Sequence, residues 1–302
     1  MSVNHDHNHT TSIKGKKLFF TILLNIFITV GQLIGGLISG SLALISDALH
    51  NFTDVISLVI SYTADRMTKR EQTLSHTFGY KRAEIIAAFI NGVSLIIVSA
   101  YLAYQAAFRL ITPEPIATNY VIWLSLVAII GNGISVLILQ KDAKDNLNMR
   151  SAYIHLFSDL IISVAVLIGG LMMHFFSIYW IDPLLTITIS IYLFFLSLKI
   201  VVESVSILML FSPKHLSILD IETAVCKFPK VKNMHHVHLW ELNDKDIYLE
   251  AHLEFEEDIT LSEFDAVCQS IEEMVRKDFN ISHTMFQPEF FREDEKVLII
   301  QD

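Results

Sequence analysis

Residues 42–64 read LALISDALHNFTDVISLVISYTA and combine two properties that conflict in a bilayer. The stretch is apolar and long enough to cross a membrane as a helix, which takes about 20 residues for about 30 Å of hydrocarbon. It also contains Asp47, His50 and Asp54, although each ionisable group at membrane depth costs at least about 2.5–3.5 kcal/mol. Such groups face a bundle interior or an aqueous cavity and serve a function there.

A second apolar stretch repeats part of this pattern. In YIHLFSDL, residues 153–160, His155 and Asp159 have the same four-residue spacing as His50 and Asp54. This spacing places both side chains on one helix face, one turn apart. If the two faces meet, they provide two imidazole nitrogens and two carboxylate oxygens, a complete tetrahedral set for zinc. One such pair is usually a local hydrogen bond or a solvated face, but two copies in separate apolar stretches predict a metal site.

Asp47 lies three residues before His50, so it can share the face of the predicted site. Two roles stay open for it: a relay for protons or metal, or a group that caps or orients a neighbour. Asn25, Asn91 and Asn132 are polar positions in other apolar stretches. Hydrogen bonds between helices explain these three residues without metal.

The composition of the whole chain is typical of a membrane protein. Of its 302 residues, 52% are hydrophobic and 18% are charged, whereas soluble domains are about 25% charged. Six stretches are long and apolar enough to predict membrane-spanning helices. They are Leu18–Ser39, Leu42–Ala64, Ile85–Leu110, Tyr120–Leu139, Ala152–Phe176 and Trp180–Val202.

The basic residues predict how these helices are oriented. Lys and Arg gather before the first span, between the second and third, and between the fourth and fifth, while the alternate loops are nearly free of them apart from Arg109. Because basic loops stay on the cytoplasmic side, both termini are expected in the cytoplasm. The polar opening residues show no cleavable signal pattern, and a bacterial plasma membrane is the expected location.

After residue 211, Ser212-Pro213 ends the apolar pattern and a soluble region follows. Its αββαβ order of elements is typical of a small two-layer α+β domain. The spacing predicts helices over 215–228 and Leu261–Phe279 and strands over Met234–Leu242, Ile247–Phe255 and Ile281–Gln287.

Charge and cysteine content further describe this C-terminal region. Much of the acid lies here and contributes to the net charge of −10, which argues against nucleic acid as a partner. The two cysteines, Cys226 and Cys268, also lie here. We expect them to be apolar residues of their helices rather than disulfide partners or ligands.

Several motifs together resemble the cation diffusion facilitator family of zinc and related metal exporters. They are SLALISDALHNFTDV (41–55), HTFGYKRAE (76–84), RLITPEPI (109–116), IHLFSDL (154–160) and HHVHLWEL (235–242). The resemblance implies a dimer of six-span subunits with a metallochaperone-like cytoplasmic domain, and export of divalent metal coupled to protons. It implies that His50, Asp54, His155 and Asp159 form the transport site and that the histidine at position 50 favours zinc over cadmium. The expected domains are a His-containing cytoplasmic tail at 1–14, a six-helix transmembrane domain at 15–211 and a cytoplasmic regulatory and dimerisation domain at 212–302.

The same resemblance implies secondary metal sites. His76 matches one ligand of a peripheral site, although the usual partners are not evident in TKREQTLSHTFGY, residues 68–80. A regulatory site in the cytoplasmic domain is expected to use some of His235, His252, Asp265 and His283. Met285 and Gln287 occupy positions that are ligands in some relatives, which argues against a full two-metal cluster. The N-terminal His5, His7 and His9 either collect cytosolic metal or form a tail of weak affinity.

The function expected from these observations is zinc efflux from the cytoplasm by proton antiport, and not an enzymatic reaction. Zinc is the expected cargo and a candidate regulatory ligand, while Co²⁺, Cd²⁺, Fe²⁺ and Ni²⁺ stay open because the ligand types discriminate poorly among these metals. Two alternatives are a membrane metal sensor and an intramembrane zinc-dependent enzyme, which would need an open coordination position and a general base. The expected partners are a second copy of the chain, the bilayer, metal ions and protons.

Overall fold

The computed structural model describes residues 8–68, 71–140, 147–243 and 246–300. Within these ranges, the side chains of residues 8–22, 54, 57–59, 61, 62, 64, 65, 68, 139 and 147–152 lie outside the description. The predictions for His5, His7, His9 and the Asp54 side chain therefore fall outside what the structure describes.

Six long helices occupy the first two thirds of the chain. They are α1 (Asn8–Ser39), α2 (Leu42–Thr68), α3 (Ala83–Ile111), α4 (Thr118–Leu139), α5 (Leu147–Phe176) and α6 (Ile181–Leu208). By length and composition, α3, α4, α5 and α6 could each cross a membrane, and the described part of α1 adds the shorter apolar segment Leu23–Ser39. The prediction of an apolar transmembrane region is thus confirmed, with four clear spans among the described residues.

The chain divides into two compact units, and the first contains residues up to Ile60 together with Ile90–Lys199. In this unit α1 packs against α4 and α4 against α5. The α1–α4 contact is close because Gly35 has no side chain: a Cβ there would lie 1.8 Å from Leu124 Cδ1. Small residues allow such close approach between membrane helices, where packing rather than the hydrophobic effect drives association.

The outer faces of these helices expose large apolar side chains, including Phe27, Trp123 and Phe195. Soluble monomers rarely expose apolar patches of more than a few hundred Å². These faces therefore fit a hydrocarbon environment.

The start of α2 is held by a buried carboxylate from α6. Asp182 accepts hydrogen bonds from the backbone N–H groups of Leu42 at 2.8 Å and Ala43 at 3.3 Å, and from the Ser41 hydroxyl. The first N–H groups of a helix have no partner within the helix, so Asp182 acts as a cap supplied by another helix. This contact fixes the beginning of the helix that carries Asp47 and His50.

The second unit contains Ser61–Phe89 and Ile200–Asp302. After residue 211 it has, in chain order, α7 (Ile218–Val225), β1 (Val231–Glu241), β2 (Ile247–Phe255), α8 (Leu261–Phe279) and β3 (His283–Glu289). The three strands form one sheet in the order β1-β2-β3, with β1 antiparallel to β2 and β2 parallel to β3. The predicted αββαβ order of elements is confirmed.

Local capping explains where the helices of this unit begin. The Ser217 side chain accepts a hydrogen bond from the Asp220 N–H, so α7 starts later than the predicted residue 215. Helix α8 starts at the predicted residue because Thr260 and Glu263 form a reciprocal capping box. Both cysteines pack against the core of the sheet, and burial raises the pKa of both thiols, that of Cys268 to about 12. The cysteines thus behave as the apolar residues that were expected.

Candidate metal centres

Helices α2 and α5 bring three of the four predicted transport ligands together. His50 Nε2 and His155 Nε2 each lie 3.6 Å from a different oxygen of Asp159. The two imidazole rings have centroids 5.7 Å apart, and one ligand atom from each residue lies within 4.8 Å of the others. The structure therefore brings these three residues together, and their role as transport ligands stays a prediction.

The separations within this cluster fit a single bound ion. Two ligands that bind zinc at about 2.0–2.2 Å in a tetrahedron lie about 3.3–3.6 Å apart. The two nitrogen–oxygen distances of 3.6 Å fall at the upper end of that range. Asp54 is four residues beyond His50 on the same helix, and it stays the predicted fourth ligand.

The carboxylate of this cluster, Asp159, is fully buried without a hydrogen-bond donor among the described residues. The Asp159 side chain is 0% exposed, that of His50 is 3% exposed and that of His155 is 38% exposed. Among the described residues, neither Asp159 oxygen accepts a hydrogen bond and no Lys or Arg forms an ion pair with Asp159. A buried carboxylate needs a cation or a proton, so this group is suited to exchange one for the other.

Asp47 lies outside the three-residue group but close to it in sequence. It is fully buried and accepts a hydrogen bond from Gln32 Nε2 of α1 at 2.5 Å. This bond ties α1 to α2 three residues before His50. The contact favours the orienting role for Asp47; the relay role stays a prediction.

A second cluster lies in the C-terminal sheet. His235 of β1 and His252 of β2 are directly paired across the two strands, with ring centroids 5.4 Å apart. His235 Nε2 lies 3.0 Å from Glu289 Oε2, and His252 Nδ1 lies 2.8 Å from Glu289 Oε1. Asp294 Oδ2 completes the group at 3.7 Å from His235 Nε2. These four residues offer ligand atoms that all lie within 4.8 Å of one another.

Two cations share this second cluster with its carboxylates. Lys296 Nζ donates to Glu289 Oε2 at 2.8 Å and also pairs with Asp294, while Arg292 Nη1 lies 3.2 Å from Glu289 Oε1. Burial acts to raise the pKa of Glu289, but the hydrogen bond and charge of Lys296, together with His252, keep the pKa of that carboxyl below its usual value. Burial lowers the pKa of His252, which favours the neutral imidazole that a metal needs.

The other predicted secondary ligands are not brought to either cluster. His76 is exposed in a turn, where its Nδ1 lies within 3.2 Å of Thr73 Oγ1 and its ring stacks on Tyr80. Asp265 is exposed on α8, and His283 is exposed with its ring against Tyr248. Within the described residues of one chain, none of the three joins a group of potential ligands.

Sequence reasoning missed Glu289 and Asp294. Both belong to PEFFREDEK, residues 288–296, whose acidic run was interpreted only as part of the charge of the region. The position of Glu289 could have been inferred from the end of β3. A strand parallel to β2 places its last residues beside those that follow His252. The chain reversal that brings Asp294 close to His235 follows no periodic pattern in the sequence.

Two family models cover most of the chain. Residues 18–209 match the model described as the cation efflux transmembrane domain, and residues 213–291 match that of the cation efflux protein, cytoplasmic domain. Among curated proteins, the chain is 32% identical over 286 residues to a cadmium, cobalt and zinc/H⁺-K⁺ antiporter of Bacillus subtilis, covering 94% of this chain and 91% of the relative. It is 31% identical over 293 residues to the zinc transporter ZitB of Pectobacterium atrosepticum, covering 96% and 90%. It is 29% identical over 287 residues to the metal cation efflux system protein CzcD of Cupriavidus metallidurans, covering 95% and 90%.

Proposed function

Because this chain belongs to the cation efflux family, a family of transporters and not of enzymes, we propose that it exports divalent metal from the cytoplasm in exchange for protons. The observation that carries this proposal is the cluster of His50, His155 and Asp159 on two membrane-region helices. A metal-binding set in such a place has to be reached from the two sides of the membrane in turn.

Zinc is the metal that we assign first. Two imidazoles with carboxylates form the N/O set that zinc accepts without a strong demand on geometry. The names of the relatives also include cadmium and cobalt, and we include both ions as candidate cargo. Iron(II) and nickel are further candidates because the ligand types alone discriminate poorly among these metals.

The residues of the site provide the coupling to protons. Metal binds neutral histidine and ionised carboxylate, so its arrival displaces protons from the same atoms. Histidine titrates close to neutral pH, which lets His50 and His155 hold either metal or protons. In this scheme the inward-facing site takes metal and releases protons to the cytoplasm, and protons from the other side then displace the metal. The protonated site returns and completes the exchange.

The arrangement in the membrane follows from the same proposal. We assign six spans, with α1 and α2 joining the four clear ones, and both termini in the cytoplasm of a bacterial cell as the loop charges predict. The functional unit is a homodimer, and the domain limits are 1–14, 15–211 and 212–302. His235 and His252, together with Glu289 and Asp294, form a regulatory zinc site in the cytoplasmic domain.

Transport in liposomes tests the function and the site together. The purified protein is reconstituted with a pH gradient, and zinc uptake and internal pH are followed at the same time. We expect zinc to move one way and protons the other, and we expect Asp54→Ala, Asp159→Ala and His155→Ala to abolish both fluxes. The matched control is His174→Ala, which removes another histidine of α5 that bonds Thr118 outside the cluster.

Three results would each contradict part of this assignment. Retained proton-driven zinc flux in Asp159→Ala would remove the cluster from the transport path. Zinc binding without flux, in vesicles that carry a correctly inserted protein, would favour the sensor alternative. Proton movement that does not depend on zinc would break the coupling while leaving metal transport intact.

A further inference from the structure

The segment after β3 folds back onto β1 and carries a lysine into the C-terminal cluster. The backbone N–H groups of His236 and Val237 donate to the carbonyls of Val297 at 3.1 Å and Leu298 at 2.8 Å. Leu298 packs against the hydrophobic core of the sheet. Residues 292–300 lie beyond the part of the chain that matches the cytoplasmic domain model, which ends at residue 291. This return segment therefore lies outside the matched part of that domain.

The Lys296 ammonium lies where a metal ion would need to lie. Its nitrogen is 2.8 Å from Glu289 Oε2, pairs with Asp294 Oδ1 and is 3.4 Å from His235 Nε2. These atoms belong to three of the four residues that could hold a metal. An ammonium has three N–H groups, so it can face all three residues at once.

The charge balance of the cluster is complete without metal. Glu289 and Asp294 carry two negative charges, and Lys296 and Arg292 carry two positive charges. The Arg292 side chain is 56% exposed, whereas that of Lys296 is 24% exposed. Solvent therefore screens Arg292 more strongly, and Lys296 is the main counter-ion of the buried Glu289.

We propose that Lys296 is a built-in competitor for divalent metal, and that zinc binding at His235, His252, Glu289 and Asp294 displaces its ammonium into solvent. This inference rests on the regulatory site included in the proposed function. Competition from within the same chain raises the metal concentration that fills the site. The return segment thereby sets a threshold, so the site stays metal-free until cytosolic zinc rises.

Zinc binding to the full-length protein tests this competition. Every variant is made in an Asp159→Asn background so that the membrane site contributes little binding. Lys296→Met keeps the length of the side chain and removes its charge, and we expect zinc affinity to increase about tenfold. Lys214→Met, at an exposed lysine of the same region, is the control and is expected to change nothing. Adding Asp294→Asn to Lys296→Met should cancel the gain, because Asp294 is a ligand.

A chemical readout on the unmodified chain does not depend on how the variants fold. Amine acylation followed by mass spectrometry should label Lys296 slowly in metal-free protein and at least about threefold faster with saturating zinc, because an amine held by two carboxylates is protected. Labelling of Lys214 should be independent of zinc.

The possible results distinguish the competitor role of Lys296 from the proposed regulatory zinc site. Zinc binding with unchanged Lys296 labelling, and with equal affinity in Lys296→Met, would overturn the competitor role and leave the regulatory site standing. No zinc binding in the cytoplasmic domain of either protein would overturn both. Neither result bears on flux through the membrane site, which the liposome assay measures by itself.

Discussion

The two histidine–carboxylate clusters of this chain use the same ligand types but differ in their counter-charge. In the membrane region, Asp159 has only histidine partners among the described residues. In the C-terminal sheet, Glu289 is paired with Lys296 and Arg292. A cluster without a fixed cation must take up metal or protons, which suits a transport site. A cluster with its own ammonium is stable when empty, which suits a site that fills only above a threshold.

The largest difference between the two clusters should appear when the central carboxylate of each is removed in turn. We expect Asp159→Asn to reduce zinc flux at least about 100-fold, more than the loss of a second-sphere partner at a metal site. Glu289→Gln should leave maximal flux within about threefold because it lies outside the transport path and removes only a regulatory contact. Flux at saturating zinc in liposomes makes the comparison. Equal losses in the two variants would mean that the clusters do not have separate roles.

Helical periodicity explains how much of this comparison could be predicted from the sequence. The i, i+4 pair His155 and Asp159 was identified because a helix fixes which side chains share a face. His235 and His252 required two strands to pair in one register, and the alternation of apolar residues was enough to expect that sheet. The return segment was not predictable, since Phe291 has a φ of 48° and single left-handed residues follow no repeat.

Tertiary contacts also limited the prediction in the membrane region. The two acids and one histidine that indicated the site also make α2 less apolar than α3, α4, α5 and α6. The Asp182 cap on the start of α2 had no signal, because nothing in local sequence shows which distant helix supplies a cap. Contacts of this kind depend on tertiary packing alone.

Asp182 provides a contrast to Asp159 within the membrane region, because the Asp182 carboxylate accepts hydrogen bonds from Ser41, Leu42 and Ala43. Asp182→Ala leaves the N–H groups of Leu42 and Ala43 without their acceptor, and we expect a loss of about 3 kcal/mol. In detergent without metal, this corresponds to a melting temperature lower by roughly 5–10 °C. Asp159→Asn should instead leave the melting temperature unchanged or raise it, since it removes a buried charge that lacks donors. A large loss in Asp159→Asn would mean that this carboxylate is structural.

The smallest expected effect tests whether general loosening of the C-terminal region could imitate the loss of a metal ligand. Thr260 caps α8 and is not a ligand of either cluster. Its hydroxyl accepts a hydrogen bond from the Glu263 N–H and donates one to the Glu263 carboxylate. The Thr260 N–H and Lys230 lower the pKa of Glu263 to about 2, so the carboxylate is ionised and the box is intact at pH 7. Thr260→Ala should cost about 1 kcal/mol, measured by thermal unfolding of the full chain. Zinc flux and zinc-dependent labelling of Lys296 should stay at wild-type values, because the change weakens the fold without touching a ligand. Fast labelling of Lys296 in the Thr260→Ala variant without zinc would contradict this expectation. The ammonium would then be held by the overall stability of the sheet rather than by its own ion pairs, and the contrast between the two clusters would disappear.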